Sequence, residues 1–122
     1  MPVRSLTSSV FSWPGKDQVD REVRKWVKEE IGKHPELRRL GYYGSYARDD
    51  WGVGSDLDII AIVENSPHPF DRRSLSWDLN SLPVPTEIRV YTVNEWAHLL
   101  TENPRFVQTI QKEAVWIYPT SQ

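Results

Sequence analysis

Cysteine is absent from the 122-residue sequence, which excludes a disulfide framework and any metal site built on thiolates. Long apolar runs are missing as well. The opening segment MPVRSLTSSVFSWPGK holds none that would serve as a signal peptide or a membrane span, so the expectation is a cytoplasmic protein without membrane association. Nor is charge of one sign in excess: 15 Lys and Arg stand against 17 Asp and Glu, for a net charge of −2. The two signs are interspersed, so no basic stripe is offered to a long nucleic acid. The three histidines, His34, His68 and His98, have no ligand spacing and read as surface groups. No GxxxxGK[ST] run is present, which removes a Walker-type nucleotide site.

What is present suits one compact domain. Apolar residues make up 39% of the chain and include six Trp, enough to close a single core. Residues 1–16 read as an irregular arm, with VFSW resting on the body, and residues 17–122 as the domain. From Asp17, taken as an N-cap, the spacing of Val19, Val23, Trp26, Val27 and Ile31 lines one face of a helix that Gly32 and Pro35 stop. LRRLGYYG reads as a strand, SYARDDW as a short helix, LDIIAIVE as a second strand. DRRSLSWDLNSL suggests a weak helix with Leu75, Leu79 and Leu82 on one side. VPTEIRVYT gives a third strand. Thr92 with Glu95 forms a capping box, Asn103 before Pro104 starts another helix, and VWIY closes as a last strand. Strands alternating with helices predict an α/β fold, a small mixed β-sheet packed with helices.

Two carboxylates stand at the threshold of the most apolar of these strands. Read as strand residues, Asp56 and Asp58 share a face about 6.6 Å apart along the backbone. At that spacing two negative charges repel by about 2–3 kcal/mol at an effective dielectric near 20. A cation between them offsets that cost, and oxygen-only ligands suit a hard ion such as Mg²⁺. A third carboxylate would complete a two-ion site. Glu87 is the candidate, because a parallel crossover sets the starts of the second and third strands level. Glu64 lies about 20 Å further along its strand, and Glu95 is taken by its cap.

Gly44 and Ser45 lie at the end of the first strand, twelve and eleven residues before Asp56. There a ligand can approach the backbone, and free N–H groups at a helix start attract phosphate. Arg48 follows on that helix, where it either meets phosphate or clamps a carboxylate. Trp51 reads as packing rather than as a platform for a base, and Trp26, Trp96 and Trp116 as core. Tyr42, Tyr43 and Tyr46 are expected to pack around the first strand.

The run Gly44-Ser45, ten residues, Asp56-Leu57-Asp58 resembles the signature of the minimal nucleotidyltransferases of the polymerase-beta-like superfamily. SYAR, SDLDI, VPTEIRVYTVNEW, NPRF and EAVWIY are similar to that family in order and spacing, over roughly residues 17–118. The resemblance implies a polymerase-beta-like nucleotidyltransferase fold and transfer of a nucleoside monophosphate from ATP. It implies Asp56, Asp58 and Glu87 as catalytic Mg²⁺ ligands, with Gly44, Ser45, Arg48 and Ser55 toward the nucleotide. It further implies a helical HEPN-type partner that such a protein, as the antitoxin of a toxin–antitoxin pair, adenylylates on tyrosine. Self-association stays open. Two positions depart from the pattern: Asp49 stands where Gly is commoner, and Glu87 where Asp is. Beside this reading stand modification of a small molecule and a non-catalytic module that neutralises its partner by covering it.

Overall fold

A computed structural model describes residues 13–119; most of the expected N-terminal arm, residues 1–12, lies outside the described residues. The chain runs α1 (Lys16–Glu30), β1 (Leu37–Tyr43), α2 (Ser45–Arg48), β2 (Leu57–Val63), a 3₁₀ segment (Phe70–Ser76), β3 (Thr86–Thr92), α3 (Val93–Glu102), α4 (Pro104–Glu113) and β4 (Val115–Tyr118). The four strands form one mixed sheet in the order β3-β2-β1-β4. β1 runs antiparallel to both β2 and β4, and β2 runs parallel to β3.

The central place of β2 follows from its composition. An unbroken apolar run must be covered on both faces, and every residue of β2 except Asp58 is buried. Leu57, Ile59, Ala61 and Val63 face one cluster with α1, while Ile60 and Ile62 join Trp96, Val107 and Ile110 of α3 and α4 in another. Each of the Leu, Ile and Val side chains among them contributes about 1.5–3 kcal/mol when fully buried. Asp58 belongs by alternation to the second face, at its open end.

α1 begins at Lys16 with Gly15 as its N-cap, one turn of backbone being closed by Val19 N–H on the Gly15 carbonyl at 3.0 Å. Asp17, expected to cap, instead sits in the first turn, where its charge suits the helix dipole. The expected stripe is buried at Val19, Val23, Trp26 and Val27. Polar ties complete it: Tyr42 Oη donates to Asp20 at 2.6 Å, and Trp26 Nε1 to the Asp78 carbonyl at 2.6 Å. Trp13 Nε1 donates to Tyr46 Oη at 3.0 Å, whose own proton goes to the Pro14 carbonyl at 2.8 Å.

Three expectations change. The segment DRRSLSWDLNSL is a 3₁₀ turn followed by irregular chain, not a helix with a leucine face, and Leu75 is 78% exposed. Trp77 and Leu82 are buried beyond the turn, and within it the buried residue is Arg73, which donates to the His68 and Val90 carbonyls and to Glu95. Those partners draw the segment against β3, and an α-helix would turn Arg73 away from them. His34 is buried rather than exposed: its ring stacks on Trp77 at 3.7 Å between centroids, with Glu30 Oε1 3.5 Å from Nε2. Trp116 is only half-buried, and the Arg39 guanidinium covers it at 3.8 Å.

The capping box of α3 forms as expected, with Glu95 N–H donating to Thr92 Oγ1 at 3.1 Å and Thr92 N–H to Glu95 Oε1 at 2.9 Å. Asn103 caps α4 by accepting from Phe106 N–H at 3.3 Å, with Pro104 in the first turn. These caps fix where α4 starts and so where its last residue, Glu113, arrives. No helix among the described residues is long and apolar enough to cross a membrane.

Candidate active site

At the end of β1 the chain turns through Gly44, whose φ of 80° and ψ of −153° lie in a region that side-chain-bearing residues essentially do not occupy. A β carbon built on Gly44 would meet Asp58 Oδ2 at 2.5 Å. The glycine therefore serves two needs at once, the turn and the close approach of a carboxylate. Ser45 opens α2, which is a single turn rather than the longer helix expected through Trp51. Asp49 ends it in the left-handed region at φ 64°. A glycine is the easy residue for that conformation, and Asp is one of the few others that tolerate it.

Across the sheet, Tyr43, Asp58 and Glu87 form one row. Tyr43 is the partner of Asp58 on the antiparallel side, and Asp58 that of Glu87 on the parallel side. Directly opposed residues share a face, so all three start from the α3/α4 side of the sheet. Asp56 does not lie on the strand, which starts at Leu57; it is exposed in the preceding loop and still reaches the cleft that Asp58 lines. The alternation argument thus holds for Asp58 and not for Asp56.

Burial raises the Asp58 carboxyl above the usual aspartate range, with Glu87 and then Asp56 adding to the shift while Arg89 and Arg48 oppose it. The same surroundings, with burial first, push the Tyr43 hydroxyl up to about 12. Glu87 is 65% exposed along its side chain, and its Oε1 lies 3.5 Å from Arg89 Nε on the same strand. As placed, the carboxylates are not a closed triad: among the described residues no group of three or more His, Asp or Glu is gathered to hold a metal ion. Asp56 and Asp58 suit a hard divalent cation, being carboxylate oxygens that line one cleft, while Glu87 faces Arg89 at the sheet edge.

The cleft has a volume of about 450 Å³, within the range of small-ligand sites. Tyr43, Gly44, Ser45, Arg48, Asp56 and Asp58 form one wall, and Phe106, Thr109, Ile110 and Glu113 of α4 form the other. Glu113 was not among the residues singled out from sequence. Its Oε2 accepts from the Gly44 N–H at 2.7 Å and from Arg48 Nη1 at 3.3 Å. Arg48 also donates from Nε to Asp50 at 3.0 Å. No spacing rule links residues 44 and 113; only the path of α4 across the sheet brings them together.

Ser55 lies outside this cleft, its Oγ accepting from Gly52 N–H at 2.7 Å to close the intervening turn. Trp51 stacks on Tyr46 at 5.8 Å between centroids and also rests against Gly15. It is a packing residue. Glu64 pairs with Arg38 at the far end of β2.

The family described as nucleotidyltransferase domain matches residues 20–117. Among solved structures, a candidate nucleotidyltransferase from Sulfolobus solfataricus superposes with a TM-score of 0.60 at 17% identity, over 84% of this chain and 82% of that one. That likeness is one of fold. A toxin–antitoxin structure with AMP-PNP gives a TM-score of 0.49 at 12% identity, over 81% of this chain and 74% of the other, too slight a likeness to argue from. No curated protein sequence is found to match.

Proposed function

This chain belongs to the nucleotidyltransferase domain family and is a nucleotidyltransferase, and from that premise we propose that it transfers AMP from ATP to a hydroxyl group of a partner protein. The observation that carries the reading is the meeting of Asp56 and Asp58 with the Gly44-Ser45 corner in one cleft, with Glu87 in register beside Asp58. Asp56 and Asp58 would hold Mg²⁺, and Glu87 would complete the set for a second ion. Bound there, the ions would neutralise the phosphates and lower the pKa of the incoming hydroxyl.

The chain's own residues supply position and charge. The bare backbone of Gly44 lets a phosphate come close beside the aspartates, and Ser45 offers its N–H and hydroxyl at the same corner. Arg48 lines the cleft and is placed to balance a triphosphate. The Thr109 and Ile110 side of the cleft bounds the ligand opposite. Holding the reacting groups in this way accounts for catalysis without a side-chain nucleophile.

The acceptor side is open. Glu87 and Arg89 are exposed on β3, which suits a hydroxyl presented on the surface of another protein rather than a small molecule enclosed in a pocket. The resemblance to minimal nucleotidyltransferases extends the reading to a tyrosine on a HEPN-type helical partner and to action as an antitoxin. The test is transfer of label from α-labelled ATP to that partner. Asp56→Ala with Asp58→Ala should abolish labelling while the domain stays folded; unchanged labelling overturns the site. If the double mutant still suppresses the partner's toxicity in cells, neutralisation works by binding and not by transfer.

A further inference from the structure

The phosphate corner already carries an anion of the protein's own. Glu113, the last residue of α4, places Oε2 2.7 Å from the Gly44 amide nitrogen and 3.3 Å from Arg48 Nη1, with Oε1 3.5 Å from the same nitrogen. Arg48 and the Gly44 backbone are what the nucleotide reading sets against a triphosphate, and this inference rests on that reading. We propose that Glu113 is an internal stand-in for phosphate, which swings out when the triphosphate enters and thereby sets how tightly nucleotide binds.

Three observations favour displacement over a permanent staple. An amide has one proton, so Gly44 N–H cannot donate fully to Glu113 and to a phosphate oxygen together. Glu113 also sits badly for its own helix: an acidic side chain in the last turn opposes the helix dipole, and no helical need explains it. Finally, Glu113 and Asp58 flank the same glycine, one carboxylate on its nitrogen and the other against its α carbon. A triphosphate added with both in place would face two carboxylates at contact range. Glu113 is the last residue of α4, and its side chain can turn about its own χ bonds with the helix in place. Arg48, held meanwhile by Asp50, is left to pair with the incoming anion.

The contact therefore discriminates against polyphosphate that arrives without cations. The experiment is calorimetric titration of wild-type protein, Glu113→Gln and Glu113→Ala with inorganic tripolyphosphate in EDTA and with ATP in Mg²⁺. Removing one like charge from contact range should tighten tripolyphosphate binding in EDTA about 10-fold, with a smaller gain for ATP in Mg²⁺. Affinity that is unchanged or weaker in Glu113→Gln, with circular dichroism and melting behaviour retained, makes Glu113 a staple and overturns the inference alone. Glu113→Gln keeps the shape and a carbonyl acceptor, so it serves if Glu113→Ala does not fold. Failure of wild type and both variants to bind ATP in Mg²⁺ overturns the nucleotide reading and this inference with it.

Discussion

Asp58 of β2 stands directly beside Glu87 of β3 in parallel register. One carboxylate is half-buried at the mouth of the cleft, and the other lies exposed at the sheet edge against Arg89. Burial and the neighbouring carboxylates disfavour the charged form of Asp58, which costs the folded chain stability.

Asp58→Asn should make the metal-free protein more stable. Its carboxylate is partly desolvated and repelled by Glu87 and Asp56, and the amide keeps the shape without the charge. A rise of about 2–5 °C in melting temperature in EDTA is expected, together with loss of nucleotidyl transfer. A lower melting temperature would give Asp58 a structural role instead.

Glu87→Ala separates function from stability in another way. The side chain is exposed and its ion pair with Arg89 is worth at most about 1 kcal/mol. Urea midpoints should therefore hardly move, whereas transfer should fall by an order of magnitude or more. Wild-type rates in this variant would reduce Glu87 to a surface partner of Arg89.

Gly44→Ala should be costly in both respects. The backbone there adopts a glycine conformation, and the new methyl group meets Asp58 Oδ2. Strain of about 1–3 kcal/mol is expected, read from chemical denaturation, along with weaker nucleotide binding. Ser45→Ala, which strains nothing, should leave stability intact and weaken only binding.

Stability on the acid side should depend on Glu95. Hydrogen bonds from Arg73 hold its carboxyl below the ordinary glutamate value of 4.5, and the Thr92 cap adds to this. A depressed acid stabilises the fold above the unfolded-state pKa and loses that contribution as pH falls through the lowered value. Denaturation midpoints of the wild type should drop through that window. Glu95→Gln should begin lower at neutral pH and show a shallower decline; an unchanged acid slope would mean that the Arg73 pair contributes nothing to stability.

Much of this architecture was legible in the sequence because the cues are local. The stripe Val19, Val23, Trp26 and Val27 marked α1, the Thr92–Glu95 box and the Asn103-Pro104 pair marked the starts of α3 and α4, and the run Ile59–Val63 marked an apolar strand. Each is settled by neighbours within a turn or a strand. DRRSLSWDLNSL misled because its leucine spacing was a weaker influence than the two distant acceptors of Arg73, the Val90 carbonyl and Glu95. His34 misled because burial depends on what stacks above it, here Trp77, more than forty residues away in the chain.

The sequence by itself determined the glycine-serine corner, the aspartates around Leu57 and the family pattern they carry, since backbone freedom and charge are properties of the residues in order. Only the tertiary structure decided which groups share the cleft. Strand pairing set Glu87 level with Asp58 as the parallel crossover predicts, but only packing left Glu87 exposed at the sheet edge and delivered Glu113, by the course of α4, to the amide of Gly44. The contact of Glu113 with Gly44 joins segments far apart in the chain, and its geometry is fixed by how the sheet and helices pack, which no local spacing encodes.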